Sequence, residues 1–170
     1  KAEYKNTSNF FNKLKSENVI ILNNSYYETK DLIVIGYTKS FELYKKELTK
    51  SKEAYREVNK LIKNTNKYQI LLSHSSVGMK DVNVDLILCG HNHNGLVPTK
   101  LEKIFKHRGI ISPSKNFFPK DIRGFYNNNN IININGGIIK LSYVSGFFRH
   151  FNKFFKSHID FIEISNKKHK

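Results

Sequence analysis

The sequence has little of several features that define small protein classes. In 170 residues it contains one cysteine, one methionine, three prolines, nine glycines and no tryptophan. With Cys89 alone there is no disulfide framework, and the low glycine and proline content excludes collagen-like and low-complexity chains. No apolar run approaches the roughly 20 residues that span a bilayer, and the polar start Lys-Ala-Glu-Tyr-Lys is unlike a secretory signal. We expect a cytoplasmic or membrane-associated chain, long enough for one domain with a real core.

Negative charge is also scarce. Only 14 Asp and Glu stand against 29 Lys and Arg, which gives a formal charge of +15. Such a balance favours nucleic acid or an anionic membrane as a partner. Most of the cations are lysine, however, and abundant lysine, asparagine and isoleucine are typical of an AT-rich coding sequence. Base readout depends on arginine forks, so nucleic acid is permitted as a partner but not favoured by the four arginines Arg56, Arg108, Arg123 and Arg149.

The order of the apolar patterns predicts an α/β protein with mixed β-sheets layered against helices. A short helix is expected over 7–18, and the stripe over 40–64 predicts a long amphipathic helix. We expect this helix to cover a sheet, with a lid or a partner-binding coiled coil as alternatives. A loop-rich stretch follows over 96–130, and 165–170 is a polar basic tail. Strands are predicted at 19–22, 26–29, 32–36, 68–72, 84–89, 131–134, 138–144 and 158–164.

Histidine follows two of these predicted strands. One strand stops at Ser73-His74, and another stops at Gly90-His91-Asn92-His93-Asn94-Gly95. Loops at strand carboxyl ends are where α/β sheets place their chemistry, and in extended backbone two residues two apart point the same way. Neutral imidazole commonly binds Zn, Fe, Mn or Ni. His91 and His93 are therefore candidate metal ligands, with His74 as a third. The alternative is loop histidines satisfied by hydrogen bonds.

These two blocks resemble the last two signature blocks of the calcineurin-like metallophosphoesterases. Those blocks are a strand ending in His and a later strand ending in Gly-His-x-His. Here the match is carried by Leu72-Ser73-His74 and by the run from Asp85 to Gly95, and His91 comes 17 positions after His74.

A weaker similarity links the following loop to a bacterial branch of the same family. It rests on Gly109-Ile110-Ile111-Ser112-Pro113, then Phe118-Pro119, then Arg123-Gly124. Together the similarities extend from about Asn9 to Ile164. The fold that they imply is the metallophosphoesterase-like sandwich.

The resemblance implies a hydrolase that cleaves a phosphate ester at a two-metal centre. The substrate would be a phosphomonoester, a phosphodiester or a pyrophosphate. His74 and His91 would bind one metal and His93 the other, with Mn favoured over Fe or Zn. Asn94 and Gly95 would line the substrate edge. Many family members read Gly-Gly-Gln where this chain reads Asn94-Gly95-Leu96, which leaves the substrate preference open.

The family's other blocks, Asp-x-His, Gly-Asp-x-x-Asp and Gly-Asn-His, do not occur in the 170 residues. The resemblance therefore implies that 1–170 is the C-terminal half of a single metallophosphoesterase domain. The missing N-terminal half would be its partner, and the catalytic residues would lie upstream of Lys1. Three imidazoles carry no negative charge to offset two divalent cations, so we expect no hydrolysis by these residues alone. We also expect exposed sheet edges and low stability without the partner.

The runner-up function is a non-enzymatic basic module that binds nucleic acid or an anionic membrane surface. Between 147 and 156 phenylalanines alternate with Lys and Arg, as in a helix lying on a membrane. The expected membrane contacts are Phe147, Phe148, Phe151 and Phe155, with packing over the sheet as the alternative. Metal binding separates the two functions, because His91→Ala should impair an enzyme half and leave a binding module unchanged.

Overall fold

The described part of the chain forms a mixed α/β structure, which confirms the predicted class. A computed structural model describes residues 9–14, 17–40, 51–112, 117–127, 130–137, 153–155 and 157–165. Residues 9–14 are helical, and 3-10 turns occupy His93–Leu96 and Thr99–Leu101. The longer elements are β1 (Ser25–Glu28), β2 (Leu32–Tyr37), α1 (Ser51–Asn59), β3 (Tyr68–Ser73), β4 (Leu86–Cys89), α2 (Glu102–Phe105), β5 (Gly124–Asn127) and β6 (Ile131–Ile134).

The strands form one mixed sheet in the order β1-β2-β3-β4-β6-β5. β1 and β2 make an antiparallel hairpin, closed by Thr29, whose hydroxyl bonds the backbone of Leu32. β2 and β3 are parallel. A parallel pair needs a crossover connection, and this crossover contains α1.

The chain divides into two compact units. The first consists of Lys1–Leu88 and Asn127–Ile132, and the second of Cys89–Tyr126 and Asn133–Lys170. The division between the two units falls within β4, β5 and β6.

The first unit has its core between the parallel strands and α1. Ile33 and Ile35 of β2 and Leu71 of β3 are almost fully buried. Ala54 and Val58 of α1 are also buried, and their spacing of four places them on one face of the helix. The Tyr37 hydroxyl of β2 donates to Glu57 of this helix at 2.7 Å, which links α1 to the sheet. That the whole stripe over 40–64 covers a sheet stays a prediction.

The second unit is built around a turn-rich core. Val97, Ile122 and Ile134 are buried in it, together with the thiol of Cys89. Gly95 and Gly109 approach each other so closely that a Cβ on Gly109 would lie 2.8 Å from the Gly95 Cα. These glycines allow the loops on either side of α2 to pack directly against one another.

Some predicted elements differ in the structure. Residues 19–22 form no strand, and Val19 and Ile20 are largely exposed, so they have no buried face to pair. Residues 158–164 also form no strand, and Ile159 and Phe161 are more than nine-tenths exposed. α1 ends at Asn59 and gives way to a turn, whereas the pattern predicts helix to 64. β5 lies in the stretch predicted to be loop-rich.

Other predictions lie outside the described residues. These are the part of the long helix over 41–50, the strand at 138–144, three of the membrane-facing phenylalanines (Phe147, Phe148 and Phe151) and the tail beyond 165. Of the helices that are described, none combines the length and apolarity that crossing a membrane requires.

Candidate functional site

His74 lies in the first unit, one residue after β3, on a short turn fixed by serine hydroxyls. Ser73 Oγ donates to the Ser75 backbone oxygen at 2.8 Å, and Ser75 Oγ accepts from the Val77 backbone nitrogen at 3.2 Å. Both serine side chains are shielded from solvent while His74 is exposed. The turn therefore has a rigid buried side and presents His74 on the other.

An open cleft of about 330 Å³ lies beside this histidine. Its walls are mostly aliphatic, with Leu22, Leu72 and Leu88 among them, and Tyr37 and His74 provide polar groups. The Tyr37 hydroxyl donates to Glu57 Oε2 at 2.7 Å. Burial, together with the hydrogen bond and the charge of Glu57, raises the pKa of Tyr37 well above its ordinary value. Tyr37 thus stays a neutral hydroxyl and is no candidate for a general base.

His91 and His93 lie in the second unit, on a tight turn after β4. The backbone φ is +72° at His91 and +44° at His93, and Asn94, Gly95 and Leu96 also have positive φ. The backbone here is therefore not extended. An extended backbone was the basis for predicting that the two imidazoles lie on one side. His91 is half-buried and His93 is exposed.

Left-handed backbone costs an L-residue roughly 1–2 kcal/mol, so this turn needs strong local support. Asn92 N–H donates to Gly90 O at 2.9 Å, and Gly95 N–H donates to Asn92 O at 2.8 Å. The Gly95 oxygen then accepts from both Ile110 and Ile111. The histidine turn is thereby fastened to the segment that follows α2.

The side chain of Asn94 is the centre of a buried polar network in the same unit. Only 1% of Asn94 is exposed. Its Oδ1 accepts from Arg123 Nη1 at 2.9 Å, and its Nδ2 lies 2.7 Å from Glu102 Oε1 and 3.2 Å from His158 Nε2. The amide oxygen faces a cation and the amide nitrogen faces a carboxylate, so its orientation is chemically consistent. The network satisfies both polar atoms of a side chain whose burial would otherwise be costly.

Two further groups complete this network. His158 Nε2 is 3.1 Å from Glu102 Oε1, so its ring either donates to the carboxylate or accepts from Asn94, depending on the tautomer. Arg123 also donates to the backbone oxygens of Glu102 and Lys106. Burial lowers the pKa of Arg123 and the charge of Glu102 opposes that shift. One arginine therefore links the histidine turn to both ends of α2.

The sequence predicts Asn94 and Gly95 at a substrate edge. The structure places Asn94 within this network and Gly95 against Gly109 and Ile122, both buried. Their role toward a substrate stays a prediction. Sequence reasoning missed Glu102 and His158, which carry no local motif and lie 56 residues apart. Arg123 was accessible only through the weak loop similarity.

The donor set does not by itself fit a two-metal centre. In the described ranges, no group of three or more His, Cys, Asp or Glu side chains is arranged to hold a metal ion. His74, His91 and His93 each take part in an interaction within the protein. Imidazoles without carboxylates would also leave the charge of two divalent cations unbalanced.

The chain was compared with known proteins at three levels. No protein-family model, no curated protein and no solved structure matches it.

Proposed function

We propose that this chain supplies the histidine ligands of a two-metal centre that hydrolyses a phosphate ester. His74 and His91 would bind one metal and His93 the other, with Mn²⁺ preferred to Fe or Zn. The observation that carries the proposal is that two strands are each followed by a histidine motif, first Ser-His and then Gly-His-x-His. β3 ends at Ser73 and β4 ends at Cys89, and a histidine follows each of them within two residues. The finer fold that goes with this proposal is the calcineurin-like metallophosphoesterase sandwich.

The chemistry of the proposal needs more than these residues. Metals held by His74, His91 and His93 would supply Lewis-acid chemistry toward a phosphoryl group and would lower the pKa of a bound water. The carboxylates that offset the metal charge would come from a polypeptide with the Asp-x-His, Gly-Asp-x-x-Asp and Gly-Asn-His blocks. The 170 residues alone are accordingly expected to bind one metal weakly and to hydrolyse nothing.

Metal titration is the first test. The chain should bind Mn²⁺ or Zn²⁺ saturably in a calorimeter, and His91→Ala should weaken binding by more than about tenfold, since even losing a group that orients a ligand costs 10- to 100-fold. His74→Ala and His93→Ala should act in the same direction. His107→Ala is the matched control, because His107 is an exposed histidine that belongs to neither histidine motif of the sequence.

An equal effect of His107→Ala, or no saturable binding by the wild-type chain, would count against the ligand assignment. The hydrolase assignment is tested separately, by joining the chain to a polypeptide that carries the three missing blocks. The joined protein should hydrolyse bis(p-nitrophenyl) phosphate with Mn²⁺, and should lose this activity with His91→Ala. Reading the coding sequence upstream of Lys1 shows whether such blocks occur there in frame.

A further inference from the structure

Large apolar side chains are exposed together in the second unit. Ile104 and Phe117 are each 74% exposed, Phe118 is 65% exposed and Leu101 is 38% exposed. We name these four residues the apolar patch. Single exposed apolar residues are ordinary, but grouped ones of this size mark interaction surfaces.

Backbone hydrogen bonds connect the segments that carry the apolar patch. Leu101 and Ile104 are three residues apart on consecutive helical turns, so they share a face. The end of α2 bonds to Arg108, and Gly109 N–H then donates to Pro119 O at 3.0 Å. Phe118 N–H donates to Ile110 O at 3.0 Å, and Phe117 forms a β-bridge with Ile111. The helical segment with Leu101 and Ile104 and the segment with Phe117 and Phe118 are therefore connected through backbone hydrogen bonds.

Two residues of this structure hold strained backbone. Lys106 and Phe118 have φ of +50° and +49°, although neither is glycine or asparagine. Such conformations persist where the surroundings impose them, and they concentrate at functional sites. Both side chains are exposed, so no buried contact of their own explains the strain.

The chain segments that carry the apolar patch are basic. Glu102, on the same helix, is turned toward Asn94 and His158 and is half-buried. Asp121 is an exposed acid nearby in sequence. The exposed cations of these segments are Lys100, Lys103, Lys106, Arg108 and Lys120.

We propose that the apolar patch docks on an anionic membrane surface. Ile104, Phe117 and Phe118 would enter the boundary between headgroups and acyl chains, and the lysines around them would contact anionic lipid. A single-stranded nucleic acid fits less well, because stacking needs ring faces and Ile104, among the most exposed members, has none. The inference does not depend on the proposed hydrolase function and concerns different residues.

Vesicle flotation with residues 1–170 tests the contribution of the apolar side chains to membrane binding. The chain should float with vesicles of phosphatidylcholine containing about one third phosphatidylglycerol, and much less with phosphatidylcholine alone. Ile104→Ser with Phe117→Ser should weaken binding by about tenfold or more, since each side chain loses its apolar burial. The matched control is Ile159→Ser with Phe161→Ser, the same residue types at 93% and 92% exposure. Circular dichroism confirms that each variant keeps its fold.

The charged part is tested with a second pair of variants. Lys103→Gln with Lys106→Gln should weaken binding by about fivefold per lysine at low salt. Lys52→Gln with Lys60→Gln, which removes exposed cations at α1 instead, should have much less effect.

Three results would overturn the proposal. One is equal binding to charged and uncharged vesicles. Another is an equal loss in the Ile159 and Phe161 control. The third is tight binding to an oligothymidine with no binding to vesicles, which would assign the surface to nucleic acid.

Discussion

Gly95 and Gly137 share a left-handed backbone but differ in the space around them. Their φ angles are +60° and +62°. A Cβ on Gly95 would overlap Ile122 Cδ1 and lie 2.5 Å from Gly109 Cα. Among the described residues, the nearest atom to a Cβ on Gly137 would be Asn135 Oδ1 at 4.0 Å. Comparing substitutions at these two glycines therefore distinguishes the cost of backbone strain from the cost of steric overlap.

Alanine substitution at these two glycines should give different losses of stability. Gly137→Ala should cost about 1–2 kcal/mol, the strain of a left-handed L-residue. Gly95→Ala should cost roughly 2–5 kcal/mol, because overpacking adds about 1–3 kcal/mol to the same strain. Urea unfolding of both variants measures the difference. Equal losses would mean that the close approach of Gly95 to Gly109 does not exist in solution.

At the scale of elements, β5 is anchored by a tyrosine to the loop before it. The Tyr126 hydroxyl donates to Arg123 O at 2.6 Å and accepts from Arg123 N–H at 3.2 Å. Burial raises the pKa of Tyr126 to about 12 from an ordinary 10.0, although its hydrogen bond to the Arg123 backbone acts in the opposite direction. Burial also raises the pKa of Tyr37 and of Tyr68.

These pKa shifts predict how the free energy of unfolding changes at alkaline pH. The folded state keeps the tyrosine protons to a higher pH than the unfolded state, so the stabilisation is complete below pH 10 and is lost as the pH rises toward 12. The free energy of unfolding should fall over that range, and Tyr126→Phe should make the fall less steep. Denaturant titrations at several pH values give the two slopes. Identical slopes would show that Tyr126 titrates alike in both states.

Elements were predictable where a short apolar run was also buried. β2, β3, β4 and β6 appear within two residues of their predicted positions, because each has a row of Ile, Leu or Val to bury. The run over 19–22 has the same composition and forms no strand. Val19 and Ile20 are exposed, and Ile21 and Leu22 are only half-buried. How far a run becomes buried depends on its partners in the fold, and a single sequence does not contain that information.

At the scale of the whole molecule, the dominant feature is unbalanced charge. A formal charge of +15 on 170 residues makes the compact state repel itself. The ion pair between Lys67 and Glu28 is exposed, and exposed pairs of this kind contribute about 1 kcal/mol or less, so they offset little of this repulsion.

Salt should therefore stabilise this protein. Raising NaCl from about 0.01 M to 0.15 M shortens the screening length from about 30 Å to 8 Å, and the thermal midpoint should rise by several degrees. Replacing Lys52, Lys60, Lys103 and Lys106 together with glutamine should raise the midpoint at low salt and reduce its dependence on NaCl. Differential scanning fluorimetry at matched pH measures both effects. A midpoint independent of salt in the wild-type chain would contradict this account of the charge.

The candidate site was predictable only where its residues form a contiguous motif in the sequence. The two histidine blocks are contiguous and stand out, so His74, His91 and His93 are found from the sequence. The network around Asn94 joins positions that are 8, 29 and 64 residues away from it. Nothing in the local pattern at Glu102 or His158 indicates those pairings, because they depend on how the loops fold over one another.

The burial of Asn94 also affects how readily this side chain undergoes deamidation. An asparagine followed by glycine readily loses ammonia when the glycine backbone nitrogen attacks the side-chain carbonyl, leaving an aspartate or isoaspartate after hydrolysis. In the folded chain the Gly95 N–H is bonded to Asn92 and the Asn94 amide is held by Arg123 and Glu102. In the unfolded chain neither restraint exists. A chain with aspartate or isoaspartate at position 94 would place a new carboxylate next to Glu102, which would oppose refolding. The amount of protein that can refold should therefore fall with the time that it spends unfolded.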